Sequence, residues 1–356
     1  MIIDILKVFA PAIAAFGIGI IVTPLLTHFL YKNKTWKKTA GKLAIDGNEA
    51  TVFNEMHKEK EVSTPRMGGV VIWSSVLLTT LAIWSIQHII PIPFFEKLDF
   101  LSRNQTWIPL GLFLLGSIIG LGDDFLEIRK RDGFSEGLSL RIRLTAVGVL
   151  ALAAGWWFYE KLDVTSIGLP FLGSLEIGWL VVPLFVLSAL FIYASGIIDG
   201  IDGLAGGVFA TIFAAYTGIA FFQNQIDLAA FSATITGATL AFLWFNVPPA
   251  RFYMSETGTM GLTLALTTIA FMTDTLGDGH GFISLGIIAF PLVATVLSTI
   301  LQVLSKRYRG GKKIFKVAPL HHHFEAIGWP SYKVTMRYWI FSVMLAITGV
   351  AFALIG

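Results

Sequence analysis

Apolar residues run along this chain in long blocks separated by polar loops. Ten blocks meet or approach the ~20 residues needed to cross the hydrocarbon core of a bilayer. They centre on residues 5–30, 68–90, 107–122, 143–159, 178–198, 203–222, 228–246, 258–273, 282–304 and 334–355. This pattern predicts an all-α polytopic membrane protein of about ten transmembrane helices, built as a single domain over residues 1–356. Glycines blur several boundaries, chiefly around the third and eighth blocks and between the fifth and sixth. No soluble domain, low-complexity linker or internal repeat interrupts the pattern. The first block is too long for a signal-peptide core and lacks a small-residue cleavage site, so it is expected to stay as a span.

The loops alternate in charge. Residues 32–66 carry eight Lys/Arg, residues 123–143 carry five and residues 305–333 carry seven. Loops 91–106 and 160–177 carry two and one, and loops 223–227 and 274–281 carry none. By the positive-inside rule, the loops after the odd-numbered spans are cytoplasmic and both termini lie outside. The unusual polar residues then fall on one face: Asp123-Asp124 after span three, Asp199 and Asp202 after span five, Glu256 after span seven, and His321-His322-His323 after span nine. Scattered acids are not expected to choose one face so consistently, and ionisable groups at a membrane boundary need a partner, a cation or water. A transporter would place such groups near the midplane, commonly within inverted repeats; neither feature is seen.

Composition narrows the chemistry. Of 356 residues, 55% are hydrophobic and 14% charged, a balance too apolar for a soluble domain to bury. The absence of cysteine excludes disulfides, thiolate metal sites and a Cys nucleophile. A net charge of +3 leaves no nucleic-acid footprint, and the basic loops suit lipid headgroups.

Within Ser195–Gly207, Asp199 and Asp202 are spaced i, i+3, which puts both on one face if the segment is helical. In Gly120-Leu-Gly-Asp-Asp-Phe125 two carboxylates oppose the dipole of a helix C-terminus. They are either solvated and balanced by Arg129 to Arg131, or one of them serves a site. Carboxylates of this kind suit Mg²⁺, which takes one or two acids and keeps positions for water and phosphate. Three consecutive histidines cannot all ligate one ion without unusual backbone; one of them can donate to a phosphate or carry a proton. Lys60 precedes Thr64-Pro-Arg-Met-Gly-Gly69, whose turn into a helix exposes N–H groups suited to phosphate. Pro248 and Pro249 break a helix after Phe245-Asn246. Beyond that break, Tyr253 suits stacking on a base or sugar, or anchoring at the interface. Glu256 suits a metal, or is an ordinary acid at a helix start. Acids, histidines and phosphate-binding backbone on one membrane face point to phosphoryl transfer between a nucleotide diphosphate and a lipid phosphate.

The set Thr64-Pro-x-Met-Gly-Gly69, Gly122-Asp-Asp124, Asp199-Gly-x-Asp-Gly-Leu-Ala205, Phe245-Asn246 and Ala318-Pro-Leu-His-His-His-Phe-Glu325 resembles the phospho-N-acetylmuramoyl-pentapeptide transferase family. That family lies within the polyprenyl-phosphate N-acetylhexosamine-1-phosphate transferase superfamily. The likeness spans nearly the whole chain, and the triple-His stretch is its most specific part. It implies transfer of phospho-MurNAc-pentapeptide from UDP-MurNAc-pentapeptide to undecaprenyl phosphate, giving lipid I and UMP with Mg²⁺. The setting would be the bacterial cytoplasmic membrane, with a cleft on its inner face and, as is common in the family, a homodimer. A related transferase using UDP-GlcNAc is the alternative. Asp123, Asp124, Asp199, His321, His322 and His323 would be catalytic, with Asp123 positioning or deprotonating the lipid phosphate. Lys60, Thr64, Gly200, Asp202, Asn246, Tyr253 and Gln302 would bind substrate, and Glu256 and Asp199 would hold the metal.

The chain also departs from the family pattern. Glu256 stands where an Asp that ligates magnesium is usual, and Tyr193 and Gly196 stand where Asn residues are usual. Glu127 replaces a lysine, Tyr253 replaces a uracil-stacking Phe, and Ser63 replaces a Gly with one extra residue between it and Lys60.

Overall fold

The computed structural model describes residues 2–38, 41, 54, 55, 57, 61–90, 92–129, 137–277 and 279–355. It is a helical bundle with one small hairpin. The long helices are α1 (Ile2–Lys32) and α2 (Gly69–Ile89), then, after the short α3 (Pro93–Leu98), α4 (Trp107–Arg129), α5 (Leu140–Lys161), α6 (Val181–Ala194), α7 (Leu204–Phe222), α8 (Ile226–Asn246) and α9 (Ser255–Met272). They are followed by α10 (Gly281–Ile288), α11 (Phe290–Tyr308), the short α12 (Leu320–Ala326) and α13 (Ser331–Ile355). Among the described residues, eight stretches are long and apolar enough to cross a membrane: six of these helices (α1, α2, α4, α5, α7 and α8), α13, and Gly178–Ile198, which contains α6.

The ninth expected span is not one straight helix. Gly281–Ile288 and Phe290–Tyr308 meet at an angle of 69°, and Pro291 at the start of α11 supplies no N–H to continue the first ladder. The eighth expected span, α9, falls outside the apolar set for a different reason. Its threonines lower its hydropathy, yet every residue from Thr257 to Met272 is buried. The hydroxyls are satisfied within the helix: Thr263 donates to the Thr259 carbonyl at 2.7 Å, Thr267 to Thr263 at 3.0 Å and Thr268 to Leu264 at 2.8 Å. Hydroxyls bonded in this way can sit in an apolar interior, so α9 is the central pillar of the bundle rather than a lipid-facing span.

Around this pillar, α9 packs against α4, α6 and α2, α8 against α1 and α7, and α13 against α7 and α10. Small residues make the close contacts possible. Gly69 lies against the backbone of Gly258, and Gly120 against the Glu256 carbonyl, so a Cβ at either glycine would collide. The outermost helices keep large apolar side chains exposed, as a lipid-facing surface requires: Ile21 is 71% and Leu25 74% exposed on α1, and Ile340 67% on α13.

Residues 160–177 hold a hairpin, β1 (Ser166–Leu169) with β2 (Gly173–Glu176), antiparallel and pairing Leu169 with Gly173. It departs from a purely helical expectation. It is anchored to the core by Asp274, which accepts from the Gly168 N–H at 2.6 Å.

Candidate active site

The N-terminus of α9 organises the polar end of the bundle. The first helical N–H groups lack intrahelical partners, and the end of the helix favours negative charge. Two aspartates from different helix ends meet these groups. Asp199 accepts from the Ser255 N–H at 2.7 Å, and Asp124 accepts from the Thr257 N–H at 3.0 Å and from its hydroxyl. Ser255 has φ 58°, a left-handed backbone that costs a non-glycine residue about 1–3 kcal/mol. That conformation turns its N–H toward Asp199. Between the two stands Glu256, so three consecutive residues tie the acids of α4 and of the α6–α7 turn together.

Asp123 and Asp124 are both buried, at 1% and 0% exposure, which rules out one of them facing solvent. Asp123 accepts from the Leu138 N–H at 2.5 Å, and Arg143 lies 3.7 Å away. Their balance does not come from Arg129, which sits over the Phe125 ring; Lys130 and Arg131 lie outside the described residues. The cations are Arg143, from the start of α5, and Arg66. Arg66 pairs with Glu127 at 2.6 Å, and Lys37 reaches the same carboxylate at 3.0 Å. Burial opposes the charge of Arg66, but Glu127, Asp124, Glu61 and Asp199 outweigh it and keep the guanidinium charged. The acid that replaces the usual lysine is therefore compensated by two bases from elsewhere in the chain.

Two further departures turn out to be coupled. Glu256 accepts from Arg143 at 2.6 Å and from the Tyr193 hydroxyl at 3.3 Å. Arg143 thus bridges Asp123 and Glu256, while Tyr193 supports the same carboxylate.

The Ser195–Gly203 motif forms one wall. It is a 3-10 turn over Ser195–Ile198 followed by a bend, not an α-helix, so Asp199 and Asp202 do not share a helical face. Asp199 turns to Ser255, and Asp202 accepts from the Ala250 N–H at 3.3 Å. Asn246 is turned into the protein: its carbonyl accepts from the Gly203 N–H at 3.0 Å and its amide donates to the Phe252 carbonyl at 2.8 Å. Gln302 likewise holds backbone, accepting from the Ile314 and Phe315 N–H groups at 3.0 Å each. Both amides shape the walls and keep the loops in register. Tyr253 shares a hydrogen bond with Thr64, and burial, reinforced by Asp202 and Asp199, pushes its phenol up. Lys60 lies outside the described residues.

The three histidines diverge. The rings of His321 and His322 face one another at 4.3 Å, and a Cβ on Gly200 would meet the Nε2 of His322 at 2.6 Å and of His321 at 2.9 Å. His323 turns away, accepting from the Lys316 N–H at 3.2 Å and facing Phe315. Only the first two therefore reach the Asp199–Gly203 wall. Behind them Glu325 contacts His322 Nδ1 at 2.7 Å, His57 Nε2 at 3.0 Å and the Ser331 hydroxyl at 2.6 Å. Burial opposes ionisation of Glu325, but these hydrogen bonds outweigh it and hold the carboxyl well below the usual carboxylate range.

Sequence reasoning missed Arg143, Ser255, Thr257, His57 and the place of Glu325. The one available signal was Arg143 itself, a charge two residues after Arg141 at the mouth of an apolar block.

Residues 106–274 match the model of glycosyl transferase family 4. The phospho-N-acetylmuramoyl-pentapeptide-transferase of Chloroflexus aggregans is 31% identical over 99% of this chain and 91% of its own length. That of Latilactobacillus sakei is 32% identical over 92% of this chain and 96% of its own. That of Bacillus subtilis is 30% identical over 94% of each. With acids, histidines and glycine-lined walls gathered at one end of an apolar helical bundle, and with relatives this similar along its whole length, the chain belongs to the phospho-N-acetylmuramoyl-pentapeptide-transferase family.

Proposed function

We propose that this protein transfers phospho-MurNAc-pentapeptide from UDP-MurNAc-pentapeptide to undecaprenyl phosphate, giving lipid I and UMP. A phosphate oxygen of the lipid attacks the sugar-bearing phosphorus, and the bond to UMP breaks. The observation that carries this reading is the grouping of Asp123, Asp124 and Asp199 around the N-terminus of α9, on a chain related over its whole length to transferases of that name.

The residues fit a divalent cation such as Mg²⁺. Their donors are hard oxygens, and Asp124 Oδ1 is buried without a hydrogen-bond partner among the described residues. Asp124 and Asp199 would hold the ion, joined by Glu256 to the extent that Arg143 releases it. When bound, the ion would offset diphosphate charge. Asp123, held by Leu138 and beside Arg143, is placed to orient the lipid phosphate or take its proton. Gly200, Asp202, Tyr253, Thr64 and Lys60 serve the nucleotide, with His321 and His322 near the sugar phosphates. The site faces the cytoplasm of the bacterial inner membrane, both termini lie outside, and the chain forms a homodimer.

Purified protein with UDP-MurNAc-pentapeptide, undecaprenyl phosphate and Mg²⁺ should release UMP. Release from UDP-GlcNAc but not from the muramoyl donor would sink this assignment in favour of the related transferase.

A further inference from the structure

Arg66 stands where the first basic loop meets the start of α9. Its segment is laddered to the chain just ahead of that helix. The Tyr253 N–H donates to the Pro65 carbonyl at 2.9 Å, and the Gly68 and Gly69 N–H groups donate to the carbonyls of Tyr253 and Met254 at 2.8 and 3.0 Å. The Arg66 N–H itself donates to the Thr35 carbonyl at 2.9 Å. With its backbone fixed in this way, the side chain crosses to α4, where Nη1 donates to Glu127 Oε2 at 2.6 Å. Glu127 lies three residues beyond Asp124 on that helix, so the two acids share a face. The charge of Arg66 also bears on Asp123, Asp124, Asp199 and Tyr253.

The ion pair uses one corner of the guanidinium. Nε and Nη2 make no hydrogen bond among the described residues, and neither is buried, so both keep access to solvent. The side chain is 16% exposed, which leaves that edge within reach of a ligand. Glu127 does not spend its whole charge on Arg66. Its other oxygen lies 3.0 Å from Lys37 Nζ, so one carboxylate is divided between two cations. A plain clamp between the loop and α4 would take both oxygens of Glu127 onto the fork. Arginine stays charged at any working pH, and its planar fork matches two oxygens of a phosphate. A guanidinium held at one nitrogen with its remaining donors unspent is preorganised for such a ligand.

We propose that Arg66 binds a phosphate group of the substrates through Nε and Nη2, and that Glu127, shared with Lys37, is the positioning residue that holds it ready. The ligand chemistry is a phosphate oxyanion, from either the donor diphosphate or the lipid phosphate. The inference rests on the reading of this cleft as a site of phosphoryl transfer, and not on which sugar the donor carries. It gives the departure at Glu127 a use. The basic group usual at that point of α4 arrives here from the first basic loop, on Arg66.

The test titrates the full-length protein in detergent with inorganic pyrophosphate and Mg²⁺, with binding read by calorimetry. Arg66→Gln should weaken pyrophosphate binding about 10–100-fold, the loss of hydrogen bonds between charged groups. Lys37 stays on Glu127 in that variant, so the carboxylate is not orphaned and the protein should fold. Arg66→Lys, which keeps the charge without the fork, should recover part of the loss. Glu127→Gln should weaken binding about 3–10-fold by loosening the guanidinium. Pyrophosphate carries no sugar, so these results stand whichever donor is used, and a failure of the muramoyl assignment shows separately in the UMP-release assay. KM values in Arg66→Gln name the source of the phosphate. A rise for the nucleotide donor alone assigns the contact to its diphosphate, and a rise for undecaprenyl phosphate alone assigns it to the lipid. Unchanged pyrophosphate affinity in Arg66→Gln would overturn the proposal, because a clamp between loop and helix would lower the melting temperature and leave the affinity of the folded protein alone. So would an Arg66→Gln variant whose KM values for both substrates match those of the unaltered protein.

Discussion

Helix α9 ends in two groups of buried acid, and they are built differently. At its C-terminal end Asp274 is 2% exposed and each carboxylate oxygen meets a backbone N–H: Gly168 at 2.6 Å and Phe282 at 3.0 Å. The last carbonyls are covered by Gln225 on Met272 at 2.8 Å and Gln223 on Thr273 at 2.9 Å. These contacts close the chain on itself, tying the hairpin and α10 to the pillar. At the N-terminal end the acids outnumber the backbone donors. Asp199 and Asp124 share the helix start, Asp123 and Glu256 share Arg143, and Asp124 keeps an oxygen with no hydrogen bond among the described residues. An unsatisfied buried acceptor costs about 1–3 kcal/mol. The comparison teaches how to tell a clamp from a site: a clamp saturates its carboxylates with backbone, whereas a site leaves valence available and balances charge with movable side chains.

The sharpest way to break this comparison is to neutralise one acid at each end. Asp124→Asn should lower UMP release at least about 100-fold while leaving the melting temperature in detergent unchanged or raised. Full activity would place Asp124 with the clamps. Asp274→Asn should do the reverse. Its amide group would face an N–H donor, so stability should fall by about 1–3 kcal/mol in thermal unfolding while turnover per folded molecule persists.

A smaller effect tests the side-chain balance itself. Glu256→Asp shortens the acid that Arg143 now holds at 2.6 Å. Loss of that pair should release the carboxylate and lower the Mg²⁺ concentration for half-maximal activity about 2–10-fold. An unchanged midpoint would mean that Glu256 has no part in ion binding.

The smallest effect concerns pH. Hydrogen bonds in the fold hold Glu325 below its usual value of 4.5, so the folded state binds fewer protons there than the unfolded chain. Its contribution to stability is complete above that value and is lost as pH falls through the folded pKa. The gap in melting temperature between the unaltered protein and Glu325→Gln should be full at pH 6–7 and narrow below about pH 4. A gap that widened on acidification would reverse the sign of the argument.

Much of the fold was legible because its signal is local. Apolar blocks near 20 residues report helices regardless of their neighbours. Where that reading slipped, the cause was tertiary. A threonine-rich stretch became the central pillar because its hydroxyls bond to their own helix, and block 282–304 bent by 69° at the junction before Pro291. The hairpin at 166–176 was invisible, since four-residue strands carry too little pattern. Of the site, the acids and histidines stood out as charges out of place. Their partners did not, because Arg143, Ser255 and Glu325 look like ordinary loop residues until the chain is folded.

Residue chemistry and order alone determined that this chain is a helical membrane protein with acids, glycines and histidines in loops on one face, because hydropathy and charge act residue by residue. Only the tertiary structure decided that Asp199 and Asp124 meet at the start of one buried helix, that Arg143 joins Asp123 to Glu256, and that His57 reaches His322 through Glu325. Those pairings span up to 268 residues of sequence. The first two exist because the packing of α4 and α6 on α9 brings the ends of those helices to one place, which no local pattern in the sequence records.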